Sequence, residues 1–254
     1  MSKIVNVKNT VIGEGMPKIC VSMVSETISD LIVEAEFLKE QRIDIVEWRV
    51  DFFNDSLKRD KVKEALIEIS KVLGDKPLIF TLRTSKEGGK KDIDTKYYME
   101  INREVIETKL IDIVDIELFN DEKDVKKLID EAHKNNIFVI VSNHDFYKTP
   151  SKEEIINRLI KAYKLGADIP KIAVMPNTAE DVITLIDASR IAKEKYIDAP
   201  IIAISMSGKG VISRLSGELF GSAVTFGATN NSSAPGQVQV ETLREIIELL
   251  HSSM

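Results

Sequence analysis

Short apolar runs alternate with amphipathic helical stretches along almost the whole of this 254-residue chain, and no other feature restricts its fold as strongly. A strand that is followed by a helix and then by another strand returns to the same sheet as a parallel neighbour. Eight such runs are readable, at about residues 19–24, 44–50, 78–83, 112–118, 138–144, 171–174, 201–206 and 223–227. Between them, Val62, Ala65, Leu66, Ile69 and Leu73 recur at helical offsets before Gly74, and Val125, Leu128, Ile129 and Ala132 do so before Asn135 and Asn136. Ser151-Lys152-Glu153-Glu154 and Thr178-Ala179-Glu180-Asp181 have the form of capping boxes, and Val240, Leu243, Ile247 and Leu250 give a last helix its apolar stripe. Eight repeats of this unit predict an α/β fold, a (β/α)8 TIM barrel that occupies residues 1–254 as one domain. A doubly wound open sheet usually begins with a glycine-rich turn, whereas the first turn here reads Ser25-Glu26-Thr27-Ile28. Ahead of the first strand, Ile4 to Val7 and Thr10 to Ile12 flank Lys8-Asn9, which predicts a short β-hairpin closing one end of the barrel.

Composition narrows the function by exclusion. Hydrophobic residues make up 43% and charged residues 30%, the balance of a globular protein with a large core. A net charge of −6 argues against nucleic acid and against an anionic membrane as partners, and basic stretches such as Lys123-Asp124-Val125-Lys126-Lys127 are broken by acids at helical spacing. The lone cysteine, Cys20, lies in an apolar run and reads as a buried, inert thiol. With no signal-like segment and no apolar stretch of membrane-spanning length, a cytoplasmic location is expected.

The chemistry lies in polar residues where strands should be apolar. Lys171 stands in Pro170-Lys171-Ile172-Ala173-Val174, and burial of an ammonium there predicts a depressed pKa and a nucleophilic amine able to form an imine. One strand earlier, Val139-Ile140-Val141-Ser142-Asn143-His144 carries a histidine to a strand end, the position at which barrel enzymes place catalysis. The other histidines, His133 and His251, fall near helix ends. Because residues i and i+2 of a strand share a face, Glu47 with Arg49, Asp115 with Glu117, and Arg83 join Lys171 and His144 in one set of seven ionisable groups. The interleaved arginines point to carboxylate–arginine pairs in place of a metal cage, so no metal is expected. After the seventh strand, Ser207-Gly208-Lys209-Gly210 turns into a helix N-terminus with Arg214 one turn inside, a place for a phosphate or a carboxylate. The polar, small-residue segment from Ala228 to Gln237 reads either as a lid or as an ordinary surface loop.

Several of these short stretches, in this order and on this spacing, resemble the type I 3-dehydroquinate dehydratases, the Schiff-base-forming dehydratases of the shikimate pathway. They are Glu47-Trp48-Arg49 with Asp51, Thr81-Leu82-Arg83-Thr84 followed by Glu87-Gly88-Gly89, Ser142-Asn143-His144-Asp145-Phe146, Pro170-Lys171-Ile172-Ala173, Ser205-Met206 running on to Arg214, and Ser233-Ala234-Pro235-Gly236-Gln237. The resemblance implies that Lys171 forms an imine with the substrate ketone and that His144 moves the proton, oriented by Glu87. It also implies that Arg214 binds the substrate carboxylate, that Glu47, Arg83 and Gln237, with Arg49 alongside, meet its hydroxyls, and that Ser233 and Gln237 belong to a closing lid. The implied enzyme needs no cofactor, acts on 3-dehydroquinate and forms a homodimer. A class I aldolase acting on a sugar phosphate is the alternative, since it also uses a strand lysine.

Overall fold

The computed structural model describes residues 3–229 and 234–254. A two-stranded antiparallel hairpin comes first, β1 (Val5–Val7) and β2 (Thr10–Ile12), as the sequence predicts. The βα units follow as β3 (Lys18–Met23), α1 (Ile28–Lys39), β4 (Ile45–Arg49), α2 (Arg59–Leu73), β5 (Leu78–Thr81), α3 (Thr95–Thr108), β6 (Ile113–Glu117) and α4 (Glu122–Lys134). The second half runs through β7 (Phe138–Asp145), α5 (Lys152–Leu165), β8 (Ile169–Val174), α6 (Ala179–Lys195), β9 (Ile202–Ser205), α7 (Val211–Leu215), α8 (Gly217–Phe220), β10 (Val224–Ala228), β11 (Val238–Gln239) and α9 (Val240–Ser252).

Strands β3 to β10 lie parallel in the order β10-β3-β4-β5-β6-β7-β8-β9, and the two-residue β11 adds a ninth strand beside β10. The seam between β9 and β10 is closed more thinly. Ala223 N donates to Ile201 O at 2.8 Å, a single bridge joins Ile201 to Ser222, and the Ser222 hydroxyl accepts the Ala203 N–H at 3.0 Å. The architecture is the α/β barrel that the repeat count implies.

Period-two alternation divides each strand between two environments. Outward residues such as Trp48, Phe80, Val114 and Val141 pack under the helices, with the Trp48 ring edge-on to Phe53 and Phe80. Inward, the strand starts supply Cys20, Ile45, Ile79, Ile113, Ile140, Ile169, Ile202 and Val224, all buried together with Val5, Val7 and Ile12 of the hairpin. The hairpin therefore plugs the N-terminal end of the barrel, and Lys8 fixes it there by donating to the carbonyls of Gly74 and Lys76 and pairing with Asp112 at 2.8 Å.

The helix ends follow the local sequence. Thr178 forms the complete capping box with Asp181, whereas Ser151 caps only the Glu154 N–H. Gly74 ends α2 at positive φ, and Asn135 caps α4. Two strand boundaries depart from expectation by two residues. β5 ends at Thr81, so Arg83 stands just beyond the ladder, and β8 begins at Ile169, two residues before Lys171.

Candidate active site

The same inward face that is apolar at the strand starts becomes polar two residues later. Ile45 is succeeded by Glu47, Ile79 by Thr81, Ile113 by Asp115, Ile140 by Ser142 and Ile169 by Lys171, all buried. The next inward step brings Arg49, Arg83, Glu117 and His144 to the mouth. A cavity of about 530 Å³, counted with its open mouth, is lined there by Glu47, Arg49, Arg83, Glu87, His144, Lys171, Arg214 and Gln237, together with the apolar Phe146, Ile204, Met206 and Phe226. Its lining of cations beside apolar side chains suits a small polar acid.

Lys171 lies at the floor, 4% exposed. It is buried among the ionisable groups that the strand faces bring together. Its Nζ donates to Asp115 Oδ2 at 3.0 Å, lies 3.8 Å from Glu47 Oε1 and sits 4.7 Å from the centre of the Phe226 ring. Burial alone would raise the Asp115 carboxyl, yet the Arg83 guanidinium, with Lys171 and His144, holds it well below the usual carboxylate range. Glu47 in turn accepts from Ser22 Oγ at 2.5 Å and Thr81 Oγ1 at 2.9 Å.

Register sets the height of the histidine. Ser142 stands opposite Lys171, and His144 stands opposite Ala173, one inward position nearer the mouth. The register thus carries the imidazole on the mouth side of the lysine. His144 Nδ1 is 2.8 Å from Glu87 Oε2, which leaves Nε2 for chemistry. Burial pushes His144 well below the ordinary imidazole value, Arg83 and Lys171 reinforcing it and Asp115 opposing it. Burial likewise pushes Glu87 up to about 8 against the pull of Arg83, with Glu117 and Asp115 adding to the rise. Both shifts disfavour a fully separated ion pair, so the two groups share one proton near neutral pH and the imidazole can act as a base. Glu87 reaches this position on a short 3-10 turn, Ser85–Glu87, closed by Gly88 at φ +84. A Cβ on Gly88 would sit 2.2 Å from the Phe146 ring, so only glycine lets the turn approach the strand that bears His144.

The arginines divide by role. Arg83 is consumed by carboxylates, reaching Asp115 at 2.8 Å, Glu117 at 3.1 Å and Glu87 at 3.6 Å. Arg49 makes two 2.8 Å bonds to Asp51, whose carboxylate also accepts the Lys90 N–H, tying the loops after β4 and β5 together. These pairs are the carboxylate–arginine arrangement the sequence implies. Arg214 differs. It is buried, and among the described residues no group of opposite charge faces it and its hydrogen bonds go only to the carbonyls of Phe226 and Pro235. Desolvation lowers it to about 10. A guanidinium held this way, with Nε unbonded, is suited to an incoming carboxylate. The turn before it is short: a 3-10 segment, Gly208–Gly210, leads into the five-residue α7.

The expected site residues thus converge on one cavity, with two qualifications. Ser233 lies outside the described residues, while its neighbours Ala234 and Gln237 line the pocket. Ser142, Thr81, Ser22 and Phe226 surround the lysine without having been given a role by the sequence, and Asp115, expected there only as one of the seven ionisable groups, is its hydrogen-bond partner. The two-residue spacing above the apolar ring was the signal available for all five.

Comparison with known proteins agrees with this geometry. The model of the family described as Type I 3-dehydroquinase matches residues 19–254. The 3-dehydroquinate dehydratase of Listeria innocua is 55% identical over 251 residues, covering 99% of each chain, and that of Clostridium botulinum is 51% identical over the full length of both. The crystal structure of the type I 3-dehydroquinate dehydratase of Clostridium difficile with covalently modified comenic acid superposes with a TM-score of 0.96 at 49% identity, covering 100% of this chain and 99% of that one. A lysine and a histidine on adjacent strands of a parallel barrel, with likeness along the full chain, mean that this protein belongs to the type I 3-dehydroquinase family, the hydro-lyases that dehydrate 3-dehydroquinate.

Proposed function

We infer that residues 1–254 fold as one barrel domain that converts 3-dehydroquinate to 3-dehydroshikimate and water through an imine on Lys171. The carrying observation is the vertical arrangement of Lys171 at the floor, with His144 one inward step above it and bound to Glu87. The Lys171 nitrogen adds to the ketone, and loss of water leaves a protonated imine. His144 Nε2 then takes the C2 proton. The C–H electron pair forms a carbon–carbon double bond, and the C=N pair returns to nitrogen, giving an enamine. Reversal of that flow expels the neighbouring hydroxyl, which leaves as water with the proton from His144, and hydrolysis of the conjugated imine frees product and lysine. A cationic imine accepts the developing carbanion far better than a ketone does, which is the reason for a covalent lysine.

In the same reading Arg214 holds the substrate carboxylate, Glu47, Arg49, Arg83 and Gln237 meet the ring hydroxyls, and Ser233 with Gln237 closes the site. The buried guanidinium of Arg214, which has no carboxylate partner among the described residues, and the lining positions of Glu47, Arg49, Arg83 and Gln237 support these roles. The chemistry balances without a cofactor. A cytoplasmic homodimer is the setting we propose: Cys20 is buried, no helix among the described residues is long and apolar enough to cross a membrane, and the family resemblance implies a dimer.

Addition of 3-dehydroquinate is expected to produce enone ultraviolet absorbance without release of carbon fragments, and borohydride during turnover is expected to leave a stable adduct on Lys171. Lys171→Ala should give neither. An adduct on Lys209 or another lysine, or cleavage of the carbon chain, would overturn the assignment.

A further inference from the structure

The carboxylate nearest the reacting nitrogen is Asp115. It is 1% exposed, and both of its oxygens are used: Oδ2 accepts from Lys171 Nζ at 3.0 Å, and Oδ1 accepts from Arg83 Nη2 at 2.8 Å and from Ser142 Oγ at 2.6 Å. Three donors, one from just beyond β5, one from β7 and one from β8, fix it, so it cannot follow a moving charge. Other charged and titratable groups surround the pair: Glu47 and Arg49 from β4, Arg83 beyond β5, Glu87 on its turn, Glu117 from β6, His144 from β7, Cys20 from β3 and Tyr98 from α3. Glu47 is 3.8 Å from Nζ, and Glu117 and Glu87 are directed at Arg83. Only Asp115 lies within hydrogen-bond reach of the lysine nitrogen among the described residues.

Resting on the Lys171 reading above, we propose that Asp115 is a catalytic residue, the stationary anion that stabilises the positive charge on the Lys171 nitrogen as ammonium and then as iminium, and that remains in place when the charge passes to His144. The balance of charge explains why a fixed anion fits. Ketone plus ammonium gives iminium plus water, so the cation beside Asp115 is replaced by another cation on the same nitrogen. Removal of the C2 proton neutralises that nitrogen and places the charge on His144, which also interacts electrostatically with Asp115. Departure of hydroxyl as water regenerates the iminium. At every stage one mobile positive charge stays near one immobile negative charge, and the buried site never has to reorganise around it. An iminium without such a partner in this desolvated cavity would lose its proton and cease to withdraw electrons.

Asp115→Asn keeps the shape and removes the charge. With 3-dehydroquinate as probe, the borohydride-trapped fraction on Lys171 is measured against pH in the wild type and in this variant, with thermal unfolding as the check on folding. The alkaline limit of trapping is expected to fall by about one to three pH units, the usual influence of an adjacent opposite charge. Turnover near neutral pH should drop at least about tenfold with it, one pH unit being a tenfold change in the protonated fraction. An unmoved alkaline limit in a folded variant would make Asp115 a structural partner of Arg83 and end the proposal, whatever happens to turnover. If the variant does not fold, nitrogen-15 NMR of wild-type enzyme labelled at the lysine side chains reads the imine nitrogen directly. It should keep its proton across the whole alkaline range in which the enzyme is folded, and loss of that proton near neutral pH would refute the role. Absence of any wild-type adduct on Lys171 would instead overturn the imine reading itself, so the two failures are separable.

Discussion

Glu87 carries a charge that the fold resists. Its carboxyl rises from 4.5 to about 8 on burial, so between those values the folded protein holds a proton that the unfolded chain has released, and stability falls as pH rises. His144 works in the opposite direction. Its folded value lies well below 6.5, so the unfolded chain binds the extra proton below that pH, and stability rises as pH increases toward 6.5. The two effects oppose each other in acid, and the Glu87 loss stands alone between about 6.5 and 8. Unfolding measured across that window should show a decline on the order of 2 kcal/mol for the wild type and little for Glu87→Gln, which no longer orients the base and should turn over slowly. A parallel pH dependence in the two proteins would show that Glu87 is ionised throughout. At the same scale, His144→Ala should still form the borohydride adduct while turnover falls at least about a hundredfold, the worth of a placed general base. Undiminished exchange of the substrate C2 proton in that variant would remove the histidine from this role.

Elements matter here chiefly through where they stop. The turn after β5 delivers Glu87 to His144 only because Gly88 has no side chain to meet Phe146. Gly88→Ala should therefore lower kcat by at least about tenfold while costing roughly 1–2 kcal/mol of stability, the penalty of a left-handed non-glycine residue. A normal kcat would show that the turn can shift without disturbing the proton pair. After β10, Pro235 accepts from Ser207 N at 3.1 Å and from Arg214 Nη2 at 3.0 Å, and Gly236 lies so close to Ser207 that a Cβ would meet its carbonyl oxygen at 2.2 Å. Gly236→Ala should lift Gln237 out of the pocket, raising KM and slowing turnover with the melting temperature of the barrel nearly unchanged. A large loss of melting temperature would mean that the segment is part of the core and not a cover. These contacts bear on the lid-or-loop alternative only for residues 234–237, the part of the segment that is described beyond Thr229.

The whole barrel separates stability from chemistry along its axis. Ile12 is fully buried among the inward isoleucines at the plugged end, opposite the mouth that holds Lys171 and His144. Ile12→Ala should cost about 2–5 kcal/mol while leaving kcat and KM near wild-type values at a temperature where the variant is folded. A selective fall in kcat would show that the plug is coupled to the catalytic end. Local periodicity by itself determined the eight βα units, the hairpin and the inward positions of Glu47, Asp115, His144 and Lys171, because strand alternation and helix period depend only on neighbours along the chain. Motif order brought Glu87, Arg214 and Gln237 into the same site. Sequence could not supply register, and so could not say that Lys171 faces Ser142 while His144 stands one step higher. Nor could it assign partners. Arg83 and Asp115 are 32 residues apart and meet only because β5 and β6 are neighbours, and Lys171 and Asp115, 56 apart, meet across the barrel interior. The sequence grouped Lys171 with the ionisable residues of the other strands but could not say which of them is its partner: the compensating charge arrives from a distant strand, and only closure of the sheet decides which one.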